Sequence, residues 1–243
     1  MSRSTNKAAS DQALAIRAIL SILLPVAAAV LAATLAGNLW DLTVASNQAV
    51  TAILLTAVAI ASWLLGLRWF GIAGMGLRGG RALNAGLGFA SLLWIIFLIL
   101  RFYFVEIFPS AIEGRPPNAG RIYIYLLLFE AFATQIWTYG LIFRSVSDWR
   151  GPITAAFISG IVFGLVAVLL FQESYTNSFA SALYFIVWGV LYGIIRLRTG
   201  SLLGPVIVQS AQSFTTWIVL TPYPEPNVAQ LNNLYVTAVI AYM

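Results

Sequence analysis

The side chains able to do chemistry are few, and they sit one helical turn apart in apolar surroundings. The stretch YLLLFEAFATQIWTYGLIF, Tyr125 to Phe143, carries Glu130, Thr134, Gln135, Thr138 and Tyr139. The stretch RLRTGSLLGPVIVQSAQSF, Arg196 to Phe214, carries Gln209, Gln212 and Ser213. On a helix the pairs 134/138, 135/139 and 209/213 each share a face. Glu130 is a possible general base, because burial favours its neutral form. Amides and hydroxyls donate and accept hydrogen bonds but carry no charge to a reaction. Taken alone, the three pairs predict hydrogen bonding between helices, at about 0.6–2 kcal/mol per contact.

What is missing narrows the chemistry further. The chain has no His and no Cys, which removes the commonest general base, the thiolate nucleophile and the usual nitrogen and sulfur ligands of zinc. No metal site and no cofactor are expected. G-x-S-x-G, Walker A and H-E-x-x-H are all absent. The Gly-rich GMGLRGG, Gly74 to Gly80, lacks the strand–helix setting of a phosphate loop and is read as a flexible cytoplasmic turn.

The elements that hold these residues belong to a membrane. Of 243 residues, 60% are hydrophobic and 9% charged, too few charges to cover a soluble domain. An all-α, polytopic bundle of about eight spans is predicted. Apolar runs long enough to cross a ~30 Å core lie near 14–36, 49–67, 82–105, 121–145, 152–171, 178–196 and 201–220, with a shorter one at 228–243. Residues 1–12 form a polar cytoplasmic N-terminus and 13–243 a single transmembrane domain. The first run resembles a signal peptide in having Arg3, Lys7 and Arg17 before it. It is longer than the h-region of one and is read as an uncleaved span.

Basic residues place the N-terminus in the cytoplasm. Arg3, Lys7 and Arg17, then Arg68, Arg78 and Arg81, then Arg144 and Arg150, then Arg196 and Arg198 fall on alternate connections. The intervening ones hold Asp41, Glu106, Glu113, Glu173 and Glu225, with Arg115 and Arg121 as their only bases. The formal charge of +5 therefore reports topology, not nucleic-acid binding. Two charges lie inside runs, Arg101 in the third and Glu130 in the fourth. Intramembrane charges mark function by default, but these two are on consecutive antiparallel runs and lie toward the outer side. Structural pairing or snorkelling is expected, with Glu130 satisfied by Arg101 or by nearby hydroxyls and amides.

Read in order, TQIWTYGLIF, AAFISGIVFGLVAVL and LYGIIRLRTGSLLGPVIVQSAQS resemble the CPBP family of intramembrane CAAX and bacteriocin-processing proteases, also called Abi, over about 121–214. That family shows E-E-x-x-x-R, then F-G-x-x-H, then a helix with His and Asn or Asp. The resemblance places Thr134 and Gln135 at its two glutamates and Tyr139 at its arginine. Ala167 stands at the histidine after F-G, Gln209 at the last histidine and Ser213 at the Asn or Asp. In the family the glutamates and histidines build a hydrolytic site, variously described as metal-dependent or as glutamate-activated water; none of them is present here.

Three functions follow as expectations. The first is a catalytically inactive CPBP-like protein serving as accessory subunit, scaffold or regulator of a membrane complex, with other integral membrane proteins and the bilayer as partners. The second is an endopeptidase with its site displaced to Glu130. The third is a lipid- or small-ligand-binding or transport-assisting protein that uses a neutral relic cavity lined by Thr134, Gln135, Tyr139, Gln209 and Ser213. Short loops and the resemblance imply a prokaryotic plasma membrane.

Overall fold

The computed structural model describes residues 2–40, 48–105, 118–171, 178–219 and 227–243. Apart from short turns and helix ends the described residues are helical, with no strand among them. Among the described residues eight helices follow one another: α1 Ser2–Trp40, α2 Gln48–Gly74, α3 Arg81–Phe104, α4 Ala119–Arg150, α5 Pro152–Leu170, α6 Phe179–Thr199, α7 Leu203–Ser213 and α8 Val228–Tyr242. The first six contain stretches long and apolar enough to cross a membrane. α7 continues in wide, π-type turns over Phe214–Val219. α8 has 15 residues, a rise of about 22 Å, short of a full hydrocarbon core. The chain is a multi-pass helical membrane protein.

Local sequence explains where several helices begin and end. Gly151, at φ 89°, makes the sharp step from α4 into α5, and Pro152 then opens α5 where no amide hydrogen is needed. Ser178 and Ser181 form a reciprocal cap at the start of α6. Asn227 and Gln230 do the same for α8. Gly200, left-handed at φ 73°, ends α6.

α4 is the axis of the bundle. Of its most apolar stretch, 78% is buried against protein, compared with 17% for α1 and for α3. Its middle departs from the α form in two π segments, Leu126–Ala133 and Ile136–Ile142, which flank Thr134 and Gln135. α5 and α6 meet most closely, because their contact is made of glycine. A Cβ on Gly160 would lie 2.8 Å from the Val190 Cα, and one on Gly193 would lie 2.7 Å from the Ala156 Cα. Small residues let helix backbones approach where lipid supplies no hydrophobic drive. Around this pair lies an aromatic core: Tyr184, Trp188, Tyr192, Phe163, Phe185 and Tyr235 are all buried. Tyr242 of α8 closes it, donating to the Leu93 carbonyl of α3 at 2.8 Å.

Candidate functional site

α4 and α7 bring the two glutamines together. Gln135 Nε2 donates to Gln209 Oε1 at 2.8 Å, and Gln209 Nε2 donates to the Glu130 carbonyl at 3.2 Å. Gln135 is fully buried and Gln209 is 4% exposed. Thr134 Oγ1 turns back onto that same Glu130 carbonyl, and Thr138 Oγ1 donates to the Thr134 carbonyl at 2.6 Å. Back-bonding of threonines to their own helix loosens the regular ladder, and the Gln209 amide supplies a further donor from outside it.

The other matching positions lead elsewhere. Tyr139 OH donates to the Gly189 carbonyl of α6 at 2.6 Å, and its ring meets Phe163 and Tyr192 at 6.0 and 6.1 Å. Ala167, one turn beyond Phe163 on α5, is fully buried. Ser213 is half-buried and joins none of the hydrogen bonds of the glutamine cluster. Gln212, its neighbour, donates to Tyr184 OH at 3.2 Å. Gln135 and Gln209, two of the side chains expected to line a relic cavity, are thus in direct contact. A groove of about 430 Å³ runs between α2 and the start of α4, past Arg121 and Phe129.

The two intramembrane charges are both 1% exposed. Arg101 reaches α7, where its Nη2 and Nε donate to the Thr216 carbonyl at 2.8 and 3.2 Å. Among the described residues the ion pairs join Arg17 and Arg144 to Asp148, at 2.7 and 3.0 Å. A backbone carbonyl on a facing helix takes the hydrogens of the Arg101 guanidinium, and periodicity along one helix does not reveal such a partner.

GMGLRGG, expected to be a flexible turn, is a built joint. Met75 is fully buried. Arg196 Nη2 donates to the Gly74 carbonyl at 2.7 Å, its Nε to the Tyr139 carbonyl at 3.2 Å and its Nη1 to the Gly200 carbonyl at 2.5 Å. The Leu202 amide donates to the Gly76 carbonyl at 2.9 Å, and Ser201 Oγ to the Arg78 carbonyl at 2.8 Å. Gly76 has φ 85°, and a Cβ there would fall on the Arg196 guanidinium. The loop is held by donors from the RLRTGS turn, 122 and 123 residues further along the chain, and its own composition carries no sign of them.

The donor set does not suit a catalytic divalent metal. Gln209 Oε1 already accepts from Gln135, Tyr139 OH is committed to a carbonyl, and Ala167 offers a methyl group. Glu130 is the one carboxylate in this part of α4. Among the described residues no three His, Cys, Asp or Glu side chains gather as ligands. Zinc requires several such groups, so no hydrolytic step is assigned to a metal at these positions.

Residues 116–215 match the family model of the Rce1-like type II CAAX prenyl endopeptidases, a span that contains both glutamines, Tyr139, Ala167 and Ser213. A comparison with curated proteins found no match, and a comparison with solved structures found none either.

Proposed function

We propose that this membrane protein, protease-like over 116–215, performs no hydrolysis and works by binding, as an accessory subunit, scaffold or regulator of a membrane protein complex. The carrying observation is the Gln135–Gln209 contact at 2.8 Å. These positions match a glutamate and a histidine of the family, and here two neutral amides meet directly. A buried amide pair fastens helices at low desolvation cost, whereas activating water takes an ionisable group.

The joints at one end of the bundle support the cytoplasmic placement of the N-terminus. Arg17 and Arg144 share Asp148, and Arg196 and Ser201 grip the loop that carries Arg78. The arginines of four separate segments thus gather at a single end, the pattern of a cytoplasmic face. The plasma membrane of a prokaryote is the proposed location, with integral membrane proteins as partners.

Purification in mild detergent, followed by identification of co-eluting membrane proteins, tests the proposal. A partner in stoichiometric amount is expected. The competing reading, an endopeptidase displaced to Glu130, draws on the burial of that carboxyl group. Prenylated-peptide cleavage by the purified protein that disappears in Glu130→Gln would establish it and end the inactive reading.

A further inference from the structure

A groove of about 430 Å³ lies between the first turns of α2 and the first turns of α4, at the end of the bundle away from the clustered arginines. Ala49 and Ala52 line one side; Arg121, Ile122, Ile124, Tyr125 and Phe129 line the other. From Arg121 to Phe129 the helix rises about 12 Å. The groove therefore runs from an end of the bundle into the membrane-spanning region. Ile124, in this lining, is 55% exposed.

Arg121 is the charged residue of this lining, and it is exposed. It forms no ion pair with any described residue. It also stands in the first turn of α4, where the helix dipole disfavours a cation. The guanidinium and the helix end therefore add to one positive region at the mouth of an apolar channel. The methyl groups of Ala49 and Ala52 leave that channel wide. An ion alone would gain nothing from the apolar walls, and a hydrocarbon alone nothing from the arginine.

We propose that this groove binds one phospholipid with an anionic headgroup. The phosphate sits at Arg121, and an acyl chain lies along Ala49, Ala52 and Phe129. The site is separate from the glutamine cluster and independent of whether the chain hydrolyses anything.

Native mass spectrometry of the delipidated full chain, titrated with phosphatidylglycerol or phosphatidylcholine, tests this. One phosphatidylglycerol per chain is expected to bind more tightly than phosphatidylcholine. Arg121→Ala and Arg121→Gln should weaken phosphatidylglycerol about fivefold, the equivalent of roughly 1 kcal/mol for one arginine at an anionic surface. Ala52→Phe, which fills the channel, should weaken both lipids. Arg68→Ala, at the other end, should change neither. Phosphatidylglycerol binding that is equal to phosphatidylcholine binding, or is unaltered in a folded Arg121→Gln protein, overturns the proposal.

Discussion

The side-chain amides of Gln135 and Gln209 meet at 2.8 Å, and they join the central helix α4 to α7. The pair is closed off from water on both sides. It extends through Gln209 Nε2 to the Glu130 carbonyl, so one side chain of α7 satisfies two groups of α4.

Removing either amide alone should strand its partner. Gln135→Leu and Gln209→Leu are each expected to destabilise the protein by about 1–3 kcal/mol, the usual consequence of a buried unsatisfied polar group. The double variant should lose less than the sum of the two. Denaturant unfolding in detergent micelles, arranged as a double-mutant cycle, measures the coupling. Strict additivity would mean that the contact contributes nothing.

Arg196 is expected to be the most sensitive arginine in the chain. It is 7% exposed and donates to carbonyls of the α2–α3 loop, α4 and its own C-terminal turn. Arg196→Met should destabilise by more than the roughly 1.5–3 kcal/mol of a single charged hydrogen bond. Gly76→Ala disturbs the same joint through both its φ and its contact with the guanidinium. The two effects should therefore not add, as a thermal-shift series in detergent will show.

The α5–α6 contact should tolerate no added volume. A Cβ on Gly189 would lie 2.9 Å from the Gly160 Cα, and one on Gly164 would lie 2.9 Å from the Ile186 Cα. Gly189→Val is expected to cost about 1–3 kcal/mol through overpacking and to shift the Tyr139 hydrogen bond, whose acceptor is the Gly189 carbonyl. Tyr139→Phe, which removes the donor without adding volume, should cost about 1 kcal/mol. Comparable losses in the two variants would argue against tight packing at this face.

Orientation can be read by labelling, since the native chain has no Cys to remove. Gly79 and Gly120 have open space where a side chain would go, and they lie at opposite ends of the bundle. In intact cells a membrane-impermeant maleimide should label Gly120→Cys and spare Gly79→Cys. The reverse pattern would place the N-terminus outside.

Much of this protein was legible along the chain. Helix positions follow from apolar run lengths, and the step at Gly151–Pro152 and the stop at Gly200 follow from residue type. The absence of His and Cys, which removes imidazole and thiolate from residues 116–215, is read from the sequence alone. Helical spacing also places 134/138, 135/139 and 209/213 on shared faces, because that depends only on 3.6 residues per turn.

Which face meets which helix was a matter for the tertiary structure. Membrane helices are apolar nearly all round, so their sequences name no neighbour. Tyr139 therefore turned out to serve α6 and not α7, Arg101 to reach the Thr216 carbonyl, and GMGLRGG to be held by Arg196. Backbone carbonyls accept in all three contacts, and every residue has one. A donor's sequence position thus carries no information about which carbonyl it will find, and only packing brings the two within reach.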